Sequence, residues 1–262
     1  MRNRRNRRGS GTDSVAILTY HSIDASGSIV SVAPNDFARQ MRTLAEMGWR
    51  AISLREAVAY HDSNGLWPDR SVVLTFDDGY ENFYESALPV LAEHGFTATV
   101  FIVSGHMGGR NDWETPPPGL GRRPILSWRQ AAEVSAAGIE IGSHTKTHPD
   151  LRRLSVDKIE DEIRTSRAEI ESRIGAAVES FAYPFGSFNR ETMDVVKRSF
   201  RAACTTFLQR AEAEPFHALP RIDMYYIRSE RDLKHLLNGR LDYYLAIRRL
   251  GRRVRRALRS SP

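Results

Sequence analysis

The strongest constraint on the fold is a rhythm: short apolar runs alternate with segments of helical period along most of the chain. Runs at 15–20, 49–53, 71–76, 97–103, 138–142, 179–183 and 200–206 read as strands. Between them, Phe37, Met41, Leu44 and Met47 recur at helical spacing after a Pro34 start, and Gly48 supplies the stop. Further helices are expected near 54–61, 81–93, 127–137, 155–174 and 188–198. Strands separated by helices pair in parallel, because parallel neighbours need a crossover. The run 71–76 is apolar on both faces, as a doubly covered strand requires. About seven such strands imply an α/β parallel sheet, open or closed into a barrel, and periodicity alone does not choose. Residues 105–125 break the rhythm with clustered glycine and proline and form a long loop, either beside a substrate groove or a plain surface insertion.

At 262 residues, with 41% apolar and 27% charged, the chain suits one large core and is neither disordered nor collagenous. A single cysteine, Cys204, excludes an intramolecular disulfide and a multi-cysteine metal site; it reads as a small buried hydrophobe. The net charge of +6 is carried by the ends. Residues 1–8 hold five arginines, and residues 240–262 hold eight against one aspartate, so the stretch between them is mildly acidic. No nucleic-acid partner is expected, since no helix-turn-helix, finger or aromatic single-strand platform accompanies those tails. The reading is a disordered basic leader at 1–13, a folded body at 14–229 and a basic amphipathic helical extension at 230–262. The extension suits an anionic membrane surface or a partner-protein helix, or its apolar side closes one end of the fold. No run of eighteen apolar residues and no secretory signal is found, so the expected location is cytoplasmic or peripheral at the inner membrane surface.

Chemistry concentrates where apolar runs end. Thr75-Phe76-Asp77-Asp78-Gly79 places two adjacent carboxylates at the end of the run 71–76. Buried, they need a cation, a metal or water; alternatively, Asp78-Gly79 makes a turn and Asp77 caps a helix. His144-Thr145-Lys146-Thr147-His148 ends the run before it, and the four-residue spacing can bring both imidazoles to one side of a helical turn. With both groups at strand ends on one face, Asp78, His144 and His148 form the best ligand set for one divalent ion. Zinc is favoured, with cobalt or nickel as alternatives. Asp77 is then free to accept a proton from the attacking water. Phe181-Ala182-Tyr183-Pro184-Phe185-Gly186 can present a backbone donor to an oxyanion, best at Phe185 with Tyr183 beside it, or is simply a core strand and turn. A departing amine needs an acid, and His21, ending the first strand, is preferred over its alternative as a core histidine. Arg221 can hold Asp77 ionised or sit on a loop surface. Trp113 either stacks on a sugar ring or closes the long loop onto the body.

The two motifs 75–79 and 144–148 resemble those of the NodB-homology polysaccharide deacetylases, carbohydrate esterase family four. The resemblance covers about residues 14–225 and implies a distorted (β/α) barrel of about seven strands, making the body a catalytic domain that removes acetyl groups from N-acetylated sugars or O-acetylated xylan. It further implies that Asp77 is the catalytic base and that Asp78, His144 and His148 are the metal ligands. Two departures stand out: Ala182 occupies the place where the family usually has an arginine, and the usual late leucine-histidine motif is absent. Both resemble the branch acting on poly-β-1,6-N-acetylglucosamine, whose acid histidine comes from an early Tyr-His element matching Tyr20-His21. In that comparison Arg221 replaces the missing arginine. Trp128, at a place where proteins that this chain resembles carry an aromatic on the site floor, either takes that role or packs a helix. The expected function is removal of N-acetyl groups from N-acetylhexosamine units of a glycan, with O-acetyl ester hydrolysis or non-catalytic carbohydrate binding as alternatives.

Overall fold

Seven parallel strands close on themselves in the computed structural model, which describes residues 11–113, 119–212, 215–241 and 247. The principal strands are β1 (Ala16–Tyr20), β2 (Arg50–Ile52), β3 (Ser71–Phe76), β4 (Thr99–Ile102), β5 (Glu140–Ser143), β6 (Ser180–Ala182), β7 (Ala202–Leu208) and β8 (Leu219–Asp223). The ring runs β1-β8-β7-β6-β5-β4-β3 and is closed by β1 on β3, in register from Ala16–Val72 to Tyr20–Phe76. Strand β2 pairs only with the first half of β3 and stands outside the ring. This is the distorted (β/α) barrel anticipated from the sequence, with one exchange of membership. The stretch 49–53 is not a ring strand, and Leu219–Asp223, which sequence patterning passes over as a loop, is. Pro220 explains the oversight, since proline inside an apolar run normally argues against a strand. Its register against β7 shifts between the Cys204–Leu219 and Leu208–Arg221 pairs, an irregularity of the kind that tolerates such a residue.

Side chains alternate across the strands. Ile17, Val73, Phe101, Ala182, Cys204 and Leu219 form one buried cluster with Leu54, Ala57 and Val58. Their sequence neighbours Leu18, Leu74, Val100, Phe181 and Ala203 join the larger cluster under the helices. Those helices are α1 (Pro34–Glu46), α2 (Leu54–Asn64), α3 (Leu88–Glu93), α4 (Trp128–Ala136), α5 (Val156–Ile174), α6 (Arg190–Ser199) and α7 (Glu230–Leu237). The expected helix at 81–93 is divided, with a wide π turn over Phe83–Ala87 before α3. Pro89, which lacks an N–H to donate, accounts for that break.

The ends depart from the sequence reading in detail. Gly11 and Thr12, within the expected leader, pair antiparallel with Trp67–Pro68. Leu233 and Leu236 of α7 are fully buried in the main core, so the first part of the expected extension packs on the body. Residues 1–10, 242–246 and 248–262 lie outside the described residues. Among the described residues, no helix is long and apolar enough to cross a membrane.

Candidate active site

Asp77 and Asp78 leave the C-terminal end of β3 in different directions. The Asp77 N–H donates to the Tyr20 carbonyl at 3.0 Å, while Asp78 and Gly79 turn into the left-handed region at φ 72° and 71°. Aspartate tolerates that region better than most residues. Asp77 then meets Arg221, which extends from β8. Nη1 donates to Oδ1 at 2.7 Å and Nη2 to Oδ2 at 2.6 Å. Arg221 is itself fixed by Nε donating to the Thr205 carbonyl at 2.9 Å and Nη1 to Thr75 Oγ1 at 3.2 Å. Both partners are buried. Burial opposes the charge on Asp77, yet the Arg221 guanidinium outweighs it and holds the carboxyl below its ordinary range. His21, 18% exposed, places Nε2 3.8 Å from Asp77 Oδ2, adjacent but beyond hydrogen-bond length.

Asp78 faces imidazoles instead. Its Oδ1 lies 3.4 Å from His144 Nε2 and 3.5 Å from His148 Nε2, and the three ligand atoms fall within 4.8 Å of one another, all buried. The expected helical turn between the histidines is absent: residues 144–148 form a bend with Thr145 at φ 68° and His148 at φ 61°. Positive φ at a β-branched residue is strain that surrounding contacts must hold. Thr145 Oγ1 accepts the His148 N–H at 2.9 Å, and Glu162 of α5 accepts the Lys146 and Thr147 N–H groups at 3.0 and 2.9 Å. Side-chain spacing therefore delivers both imidazoles through a tied left-handed bend.

The donor set fits a divalent cation. His144 Nδ1 sits 2.7 Å from the Ala182 carbonyl, a pairing that requires the proton on Nδ1 and leaves the Nε2 lone pair facing Asp78. A buried carboxylate and two imidazole nitrogens converging in this way need a positive centre between them. Burial disfavours charge on His144, but hydrogen bonding to Asp78, the negative charges of Asp77 and Asp78 and the Ala182 carbonyl together outweigh it and raise the pKa. His148, penalised by burial and then by His144, is pushed down to about 3. Asp78 is held far below its ordinary value, its burial overcome by the two histidines.

Phe185 sits at the rim with φ 58°, 38% exposed, its ring 4.7 Å from that of His148. The following Gly186 is required: a Cβ there would lie 2.1 Å from Thr206 Oγ1 and 2.5 Å from the Thr206 nitrogen. Tyr183, grouped from sequence with the substrate residues, is buried, and its hydroxyl donates to the His217 carbonyl at 3.0 Å. Trp113, considered for sugar stacking, is only 5% exposed and lies on His148, with ring centroids 4.8 Å apart. Trp128 packs against the main core with the Arg173 guanidinium 5.9 Å over its ring. Sequence reading overlooked Glu162, which has no motif to announce it. It also overlooked Asn82, whose Oδ1 accepts the Ile23 N–H at 3.1 Å and whose Nδ2 donates to Ser22 Oγ at 2.7 Å, bracing the segment after His21.

A buried Asp-His-His cluster at the strand ends of a distorted parallel barrel is consistent with the active site of a metal-dependent deacetylase. The polysaccharide deacetylase family matches residues 66–199, and the chain belongs to it. It is 28% identical over 183 residues to YxkH of Bacillus subtilis (strain 168), covering 70% of this chain and 61% of that one. It is also 28% identical over 181 residues to the poly-beta-1,6-N-acetyl-D-glucosamine N-deacetylase of Staphylococcus aureus (strain MSSA476), covering 64% of this chain and 58% of that one. The chain thus spans about three fifths of the length of these curated relatives. Among solved structures it resembles the Streptococcus pyogenes deacetylase PplD in complex with acetate. That likeness has a TM-score of 0.75 and 26% identity, over 85% of this chain and 97% of that one.

Proposed function

We propose that the protein is a metal-dependent N-deacetylase of N-acetylhexosamine units in a glycan, nearest in its chemistry to enzymes of poly-β-1,6-N-acetylglucosamine. The observation that carries this reading is the juxtaposition of the Asp78-His144-His148 cluster with a second carboxylate, Asp77, held ionised by Arg221. Binding alone gives no reason for a separate ionised carboxylate beside a ligand set. Asp78, His144 and His148 would hold a divalent ion, zinc by preference or cobalt or nickel, which when bound would supply Lewis acidity for water and the acetyl carbonyl.

The chain's own groups perform the proton chemistry. Asp77 accepts the proton of the attacking water, and Arg221 keeps it ready to do so. The Phe185 backbone N–H faces the developing oxyanion, in a turn that Gly186 permits. His21, whose Nε2 lies 3.8 Å from Asp77 Oδ2, donates to the departing amine. Support for the β-1,6-linked branch comes from the origin of these groups: an acid from the end of β1, an arginine from β8, and Ala182 where the family usually carries arginine. The likeness to the Staphylococcus aureus enzyme agrees. We place this work at the cytoplasmic face of a membrane, reached by the arginine-rich residues 240–262; equal liposome association without that segment would overturn the placement.

The direct test is acetate release from a panel of N-acetylhexosamine oligomers, β-1,6-linked ones included, after defined metal loading. Release from the β-1,6 series is expected. No release across the panel by folded, metal-occupied protein would overturn the reading.

A further inference from the structure

The two histidines of the cluster are held by different physics. His144 is oriented by a hydrogen bond, Nδ1 to the Ala182 carbonyl at 2.7 Å. His148 Nδ1 is buried and has no hydrogen-bond partner among the described residues. A metal-binding imidazole ordinarily donates its second nitrogen to an outer acceptor that sets its ring plane. In His148 the ring plane is set by contact with aromatic faces. Trp113 lies on one side, centroids 4.8 Å apart and planes tilted by 37°, and Phe185 meets the ring edge-on at 4.7 Å and 69°.

Trp113 is well placed to act as the fixed jaw. It shares a buried cluster with Tyr80, Val103, Leu120 and Ile125, and His106 meets its ring at 5.6 Å and 89°. The loop segment that carries it is pinned next door. Asn111 is buried, accepts the Arg123 N–H on Oδ1 at 2.6 Å and donates from Nδ2 to the Gly121 carbonyl at 3.1 Å. The backbone beneath His148 is strained at φ 61°, so the side chain cannot rely on a relaxed main chain for its direction.

We propose that Trp113 is a positioning residue for metal binding, clamping His148 against Phe185 in place of the missing hydrogen bond. Trp113, which the sequence offers either for stacking on a sugar ring or for closing the long loop onto the body, thereby supports the metal site. The inference rests on the metal-site reading of Asp78, His144 and His148, and the test keeps the two apart.

The test compares Trp113→Ala, Trp113→Leu and Trp113→Phe with the unaltered protein by chelator competition for Zn²⁺ and by visible absorption of the Co²⁺-loaded form. Circular dichroism establishes that each variant is folded at the assay temperature. Loss of the ring is expected to raise the metal dissociation constant about 10- to 100-fold, the range typical of outer-shell partners, and to change the Co²⁺ d–d bands. Trp113→Phe, which keeps a ring, recovers most of the affinity and the band shape. Trp128→Ala, which removes a tryptophan packed under Arg173, leaves both readouts unchanged. If folded Trp113→Leu or Trp113→Ala binds Zn²⁺ as tightly and gives the same Co²⁺ spectrum as the unaltered protein, the clamp is overturned. If the unaltered protein itself binds neither ion, the metal-site reading fails instead.

Discussion

Asp77 and Asp78 are adjacent in the chain and both buried, yet the fold gives them opposite company. Asp77 faces a guanidinium that is part of the protein and never titrates in the working range, with two short parallel hydrogen bonds. Asp78 faces two imidazoles, only one of which has its pKa raised. The first pairing is complete within the protein, whereas the second is a donor set that fits a cation. A left-handed backbone step at Asp78 sends two identical side chains to different partners, one to a guanidinium and the other to two imidazoles, and the proposed base and ligand roles rest on that division. The difference teaches that neighbours assign these carboxylates their work, and each neighbour is open to substitution.

The largest effect is expected on the cation side. Asp78→Asn should weaken metal binding by more than about 100-fold, beyond what outer-shell changes do, and reduce acetate release to background. Chelation should reproduce that loss and added metal restore it, as followed by metal analysis alongside an acetate assay. Asp77→Asn should lower kcat by about 10²- to 10⁴-fold, the range for general-base catalysis, while metal affinity stays close to that of the parent. A collapse of metal affinity in Asp77→Asn would erase the distinction between the two carboxylates.

Arg221→Met tests the guanidinium partner. Stranding a buried carboxylate should cost about 3–5 kcal/mol of stability, measured by denaturant unfolding at neutral pH. The sign with pH follows from the depressed Asp77 pKa. Its stabilising contribution is complete above the ordinary carboxylate value of about 3.9 and is lost as pH falls through the lower folded value. The deficit of the variant should therefore be greatest at neutral pH and shrink on acidification below about pH 4. A deficit independent of pH would point to lost packing alone. The smallest effect belongs to His21→Ala, with amide cleavage falling about 10²-fold and ester cleavage much less, because an alkoxide can depart unprotonated whereas the amide nitrogen must receive a proton before it leaves. Paired kcat/KM values on N-acetyl and O-acetyl substrates decide this, and equal losses would remove His21 from amine protonation.

Much of this arrangement was legible in the sequence because strand ends advertise themselves. An apolar run closing on Asp77-Asp78, and another closing on His144, told where the chemistry gathers. What stayed hidden was decided by backbone states and distant contacts. Thr145 and His148 adopt positive φ, which neither residue signals, so the sequence suggested a helical turn where a strained bend exists. Trp113 carries no periodic pattern within its loop, and its meeting with His148 depends on how that loop returns to the body. Arg221 stands out in the sequence by its charge, but its strand does not, because Pro220 masks it.

That strand bears on how the protein comes to be active at all. Arg221 and Asp77 lie 144 residues apart in the chain and meet only when Leu219–Asp223 slots between β7 and β1. Seating this strand in the ring and giving the buried Asp77 its guanidinium partner are one structural requirement. Under the proposed mechanism, a chain lacking that contact would leave Asp77 unaccompanied while Asp78, His144 and His148 come from other strand ends, so turnover would depend on the seating of this strand more than metal binding would.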